Sequence, residues 1–479
     1  MPPDPADPSP SRQPGLWSPQ HRALTLGLVL TVTLIAFQAL AVATIMPVVA
    51  EELRNDDLYG WVFTASMLGS LVGIVVVGGL VDRIGLVRPF VGGLVLVSIG
   101  LVVAGLAPTM EVLVGGRVLQ GLGGGAILPV AYVAIGRALP EELRARMFAT
   151  LSTAWVLPGV IGPAVSGVVA ETAGWRPVFL GLLPLIAVAG AMTLPAISRS
   201  RPAPPEPDAA PRPGLRTRLP WALVVTAGAA LVVGGLTDGR PVPGGLLAVV
   251  GLTIGLPAFA RLTPPGTLRV RAGLPAAVLL RGLLTFAFFC ADAYVPRALQ
   301  EWRGLDAATS GIALTAATLA WTAGAWIQAR RFTRVGARRF VTTGFVTVLL
   351  GVCGFAAVLS PQVPIVVGVV AWGVAGLGMG LSYSPLSLVT LAEAPPGGEG
   401  TATSALQLSD TLGAALGTGV GGAIIALANR STADGWVGLA GAFGLAAMVA
   451  LAGALSARRL PGPRGRGVAR PAVSAPVTA

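Results

Sequence analysis

Apolar stretches about 20 residues long recur along the chain, divided by short polar breaks rich in Arg, Pro and Gly. A helix needs roughly 20 apolar residues to cross a bilayer core. Windows of that kind fall at 24–48, 60–81, 88–107, 109–136, 148–170 and 177–198. A charged, Pro-rich break is followed by windows at 219–237 and 243–260, and then by six more at 273–296, 307–328, 340–360, 363–392, 403–428 and 435–457. The pattern predicts an all-α polytopic membrane protein with fourteen spans, grouped six, two and six. The expected organisation is a disordered cytoplasmic tail at 1–22, a six-helix bundle at 23–198, a cytoplasmic linker at 199–218 and two extra helices at 219–262. A linker at 263–272, a second six-helix bundle at 273–457 and a disordered cytoplasmic tail at 458–479 complete it.

Charge fixes an orientation. All 33 basic residues are Arg; with the amino terminus inside, 25 fall in inner segments and six in outer loops, leaving Arg117 and Arg281 within spans. By the positive-inside rule both termini are expected in the cytoplasm. Composition then narrows the class: 54% hydrophobic and 11% charged residues exclude a soluble or a disordered chain. The net charge of +12 therefore belongs to membrane orientation and does not imply nucleic acid. The lack of lysine suggests a GC-rich bacterial genome and hence a bacterial cytoplasmic membrane. Cys290 and Cys353 lie inside apolar stretches and His21 is the only histidine, so no disulfide framework, metal site or cofactor is expected.

The two groups of six look duplicated. Gly121-Leu122-Gly123-Gly124-Gly125 is echoed by Gly376-Leu377-Gly378-Met379-Gly380, Gly159 and Gly167 by Gly413 and Gly421, and Arg83-Ile84-Gly85 by Arg334-Val335-Gly336, all at nearly one offset. Duplicated halves place a substrate path at their interface near the bilayer midplane, where rocking exposes it to each side in turn.

Several motifs sit at fixed places on these spans. Gly78-Gly79-Leu80-Val81-Asp82-Arg83-Ile84-Gly85-Leu86-Val87-Arg88 closes span 2, Arg117-Val118-Leu119-Gln120-Gly121-Leu122-Gly123 lies in span 4, and Pro158-Gly159-Val160-Ile161-Gly162-Pro163-Ala164-Val165-Ser166-Gly167 lies in span 5. These resemble the signature loop, the R-x-x-Q-G-x-G motif and the antiporter motif of the major facilitator superfamily, and the six-two-six layout is similar to its fourteen-span drug:proton antiporter branch. The resemblance implies an inner conformational latch at Gly78, Asp82, Arg83, Gly85 and Arg88. It also implies proton coupling through Arg117 and close helix packing at Gly159, Gly162, Pro163 and Gly167. Leu86 and Val87 replace the usual basic residues of the loop. Nearby Arg and the exposed amino terminus of span 13, near Thr401 to Ser404, are natural partners for Asp82.

Where relatives carry an acid in span 1 this chain has Gln38, so either the coupling acid lies elsewhere or coupling differs. The remaining intramembrane acids are Asp292 and Asp410. An acid that meets an Arg in one conformation only can exchange a proton in step with rocking. Helical depth puts Asp410 level with Arg281 in the same half, and Asp292 level with Arg117 across the halves. Asp292 is expected to be the carrier, because a pair that never separates cannot report conformation. Gln38, Phe37, Gln120, Trp155, Phe288 and Phe289 are expected to line an aromatic, weakly charged substrate cavity. The expected function is proton-driven export of small hydrophobic or amphipathic molecules by a monomer, with protons and membrane lipids as its other partners. A dedicated exporter of one lipid or secondary metabolite fits the same residues, and a non-transporting sensor stays open. An enzyme does not fit, for the sequence offers no catalytic cluster.

Overall fold

The computed structural model describes residues 15–54, 58–199, 214–237, 241–431 and 435–462. Among them are fourteen helices long and apolar enough to span a membrane. The first six are α1 (Arg22–Leu53), α2 (Tyr59–Ile84), α3 (Val87–Gly105), α4 (Met110–Ala138), α5 (Glu141–Ala173) and α6 (Arg176–Ser198). The inserted hairpin is α7 (Leu215–Leu236) and α8 (Val242–Leu262). The last six are α9 (Leu274–Trp302), α10 (Ser310–Val335), α11 (Ala337–Leu359), α12 (Ile365–Glu393), α13 (Glu399–Asn429) and α14 (Trp436–Arg459). The all-α, fourteen-span architecture expected from the hydropathy pattern is the one observed. Asp238 and Arg240 of the hairpin turn, most of the 199–218 linker and most of both tails lie outside the described residues.

Some helices run past their apolar windows through polar turns. Near the end of α1, Glu52 accepts bonds from Trp175 Nε1 (2.8 Å) and Arg176 Nη1 (2.6 Å). Span 5 begins earlier than its apolar window, with Glu141, Glu142, Arg144 and Arg146 on its first turns after Pro140. It breaks at Ala154 and Trp155, where Thr33 Oγ1 donates to the Ala154 carbonyl at 3.2 Å.

The duplicated glycines do equivalent work in each half. Gly121 and Gly125 face the backbone of Ser66 and Ser70 on α2, while Gly123 faces Gly93 and Val97 on α3. Gly376 and Gly380 face Ala317 and Trp321 on α10, while Gly378 faces Gly344 and Val348 on α11. Alternate glycines thus let α4 and α12 each sit against two neighbours at backbone contact, the close approach that small residues permit inside a membrane. Two apolar cores result, one built chiefly by α1 to α6 and one by α9 to α14. A third, formed by Leu71, Ile74, Val75, Val225, Phe259 and Leu408 among others, joins the hairpin to α2 and α13. The hairpin therefore lies along one lateral seam between the bundles.

Candidate functional site

At the end of the molecule that carries the arginine-rich loops, the two bundles meet through α2, α4 and α13. Asp82, near the end of α2, accepts bonds from the backbone N–H groups of Gly400 (2.7 Å) and Thr401 (2.8 Å). A helix amino terminus leaves such donors without intrahelical partners, and its dipole favours an anion. Asp82 is therefore an N-terminal cap delivered from the other bundle. Arg137 of α4 donates to Glu399 Oε2 at 2.8 Å and lies 4.0 Å from Asp82. Gly78 faces Ser404 and the Gly400 carbonyl, and Gly136 takes the Leu391 side chain. Gly85 turns the chain at φ 80°, a conformation that glycine adopts without strain. Arg83 and Arg88, expected as latch cations, are exposed; Arg137, which the loop pattern does not single out, is bonded to Glu399 across this seam beside Asp82.

The intramembrane arginines occupy separate networks. Arg117, 5% exposed, donates from Nε to the Val62 carbonyl (3.1 Å) and from Nη1 to Gln120 Oε1 (2.6 Å). Gln38 Nε2 donates to the same oxygen at 2.7 Å, and Gln120 Nε2 to the Gly100 carbonyl at 2.9 Å. This ties α1, α2, α3 and α4 together and leaves Gln120 sealed within the first bundle rather than on a cavity wall. Asp292 accepts from Trp372 Nε1 at 3.2 Å inside the second bundle, so Arg117 and Asp292 do not meet here.

Arg281 and Asp410 do meet. Arg281 is fully buried; it donates to the Tyr383 carbonyl (2.8 Å) and Ser387 Oγ (2.5 Å), lies over the Tyr383 ring and stands 3.6 Å from Asp410 Oδ1. The Tyr383 hydroxyl donates to Asp410 Oδ2 at 2.9 Å. Tyr132 of α4 interacts with Tyr383 and Ser387, and so reaches this cluster from the first bundle. Sequence depth alone pairs Arg281 with Asp410 but does not find Tyr132 or Tyr383, because neither carries charge and their meeting depends on the packing of separate bundles.

The aromatic set also divides. Phe288 is 3% exposed, stacked on Trp372 (centroids 5.1 Å apart) and edge-on to Phe289 and Trp321. It is core, not cavity lining. Phe37, Gln38 and Phe289 are half-buried, and Trp155 at the α5 break is exposed. The antiporter-motif glycines depart from close packing. Nothing lies within 4 Å of a methyl placed at Gly159 or Gly167, whereas Gly162 faces Phe37 and Leu40 of α1. The first half of α5 packs along α10, with Trp326 Nε1 donating to Thr153 Oγ1 at 3.0 Å, while the half beyond Trp155 diverges from it. Along α5 and α10 the bundles are thus in contact toward the arginine-rich end and separate beyond Trp155. Outside this seam, an apolar cleft of about 200 Å³ lies between the hairpin, α9 and α13, lined by residues such as Gly228, Leu256, Phe286 and Leu412.

Comparison with known proteins agrees with this two-bundle geometry. The sequence pattern of the Major Facilitator Superfamily matches residues 28–418. The chain belongs to the Major Facilitator Superfamily. Its superfamily relatives include a probable multidrug-efflux transporter of Mycobacterium tuberculosis, 26% identical over 451 residues and aligned with 90% of this chain and 94% of that protein. The methylenomycin A resistance protein of Streptomyces coelicolor is 27% identical, with coverages of 88% and 85%. Multidrug resistance protein 3 of Bacillus subtilis is 24% identical, with coverages of 84% and 79%. Among solved structures, the superfamily proton:xylose symporter XylE has a TM-score of 0.65 at 14% identity, covering 91% of this chain and 94% of that one. The human organic anion transporter MFSD10 also has a TM-score of 0.65, at 16% identity. At these identities the structural likeness concerns the Major Facilitator fold alone.

Proposed function

We propose that this chain exports hydrophobic or amphipathic small molecules from the bacterial cytoplasm in exchange for protons, by rocking of its two six-helix groups at 23–198 and 273–457. The reading rests first on the Asp410–Arg281–Tyr383 cluster, an intramembrane carboxylate beside a cation with a residue of the opposite bundle against it. The names of the multidrug-efflux and resistance relatives support the direction of transport and the class of substrate. The arginine-rich end is taken as cytoplasmic by the positive-inside rule, so the structure corresponds to an outward-open state.

We favour Asp410 over Asp292, the acid that the sequence ranks first, on the contacts that the two side chains make. Asp292 ranks first there because a pair inside one bundle has no means of sensing the other. Tyr132 supplies that means to Asp410. A proton on Asp410 cancels its attraction to Arg281 and alters the Tyr383 hydroxyl bond that borders Tyr132, so proton binding and the bundle seam share one set of contacts. Asp292 is bonded to Trp372 within its own bundle, with no such link among the described residues. Entry of one proton supplies about 2.3 kcal/mol per 100 mV of membrane potential.

The test is uphill efflux of ethidium and a panel of lipophilic dyes from proteoliposomes carrying a proton gradient, with and without an uncoupler. Asp410→Asn is expected to abolish gradient-driven efflux while dye binding persists, and Asp292→Asn to retain at least half of it. Gradient-driven efflux by Asp410→Asn, with its loss in Asp292→Asn, would reverse the assignment. Failure of the wild-type chain to move any dye of the panel would remove the substrate class.

A further inference from the structure

The inserted hairpin enters the gate at the arginine-rich end with one side chain. Arg218 lies on the first turn of α7, yet it is only 7% exposed. Its Nη1 donates to Thr401 Oγ1 at 2.9 Å, on the residue whose backbone N–H donates to Asp82. Its aliphatic stem crosses the motif glycine Gly79, with Cδ 3.6 Å from where a methyl there would stand. The Asp82 charge acts on that of Arg218. Just ahead of α7, Gly214 lies over the Arg83 guanidinium, 3.2 Å from the position of a methyl to Nη1. The beginning of α7 is thus seated on the α2 motif loop and bonded to the first turn of α13, one from each bundle.

We infer that Arg218 is a positioning residue of the inner gate, through which the inserted hairpin holds the two bundles together at their cytoplasmic ends. An arginine is costly to bury unless charge or hydrogen bonds compensate it. Here the compensation is the bond to Thr401 on α13, made while the stem packs over Gly79 of α2, and these contacts coexist only while those two helices are adjacent. When the bundles part, Arg218 must give up one of them. The hairpin therefore favours the closed gate, and it also contributes a cation to a signature loop that has Leu86 and Val87 where basic residues are usual.

This inference rests on the alternating-access reading, but its test separates the two. In full-length chain with Cys290 and Cys353 replaced by Ser, a cysteine at Leu391, 8% exposed and packed over Gly136 of the other bundle, reports gate opening by maleimide labelling. Labelling needs no transport. Arg218→Gln is expected to raise the labelling rate at Leu391→Cys about fivefold and to lower the maximal rate of dye efflux with KM changed less than about twofold, as loss of a charge-assisted bond predicts. Arg218→Lys should restore part of both. Thr401→Ala should raise labelling as well, and the double variant should exceed Arg218→Gln by little, because both remove one bond. Equal labelling in wild type and Arg218→Gln, with Arg218→Gln eluting as folded protein, would overturn the inference. A shift in labelling without any dye transport by the wild type would uphold the gate contact and count against export.

Discussion

Gly380 and Gly167 belong to motifs that look alike in the sequence and differ in what surrounds them. A methyl at Gly380 would overlap the Trp321 carbonyl oxygen, whereas one at Gly167 meets nothing within 4 Å. Gly380→Ala is therefore expected to destabilise the protein by about 1–3 kcal/mol through overpacking, visible as a fall in the thermal midpoint of purified protein, and Gly167→Ala to leave that midpoint unchanged. The repeat of alternate glycines was readable from the chain because a spacing of two on a helix, duplicated, is rare enough to notice. Which glycines bear against backbone was not readable, since that depends on the neighbour's position. The same limit applies to charge: Asp82 and its helix-terminus partner follow from local pattern, but Arg137 and Arg218 reach it from helices 55 and 136 positions along the chain.

Elements were legible in number and approximate place, less so at their ends. Hydropathy registers the apolar part of a helix and misses polar turns that continue it, which is why span 5 starts at Glu141 instead of 148. The break at Ala154 and Trp155 was also invisible, although it divides α5 into a half that stays on α10 and a half that leaves it. That division predicts a cross-link: with Cys290 and Cys353 replaced by Ser, Thr153→Cys with Trp326→Cys should join α5 to α10 in the closed-gate state. Formation of that bond should suppress dye efflux by more than about tenfold, and reductant should restore it. Rapid efflux with the bond intact would mean that these helix halves need not separate.

For the molecule as a whole, the order six, two, six was legible, but the seat of the inserted pair was not, because hydropathy carries no lateral address. Its packing on α2 and α13 was settled by an apolar core of its own. The parted end predicts sidedness. In reconstituted protein, Gly159→Cys should label from the extracellular face and Leu391→Cys should stay protected from the cytoplasmic face until substrate or a proton gradient drives turnover. The opposite pattern would place the resting state on the other side of the cycle.

The cap that Asp82 provides to α13 has a consequence for solvent exchange. Every helix start owes its free amides a partner, and here part of that debt is met by a carboxylate of the other bundle, which under the proposed alternating access moves away whenever the gate opens. The Gly400 and Thr401 amides must then turn to water. Their deuterium uptake should therefore count gate openings directly, rising with turnover and in Asp82→Asn, while amides deep in α12 stay protected. The opening frequency of an unlabelled, cysteine-intact transporter could be read from two peptide hydrogens.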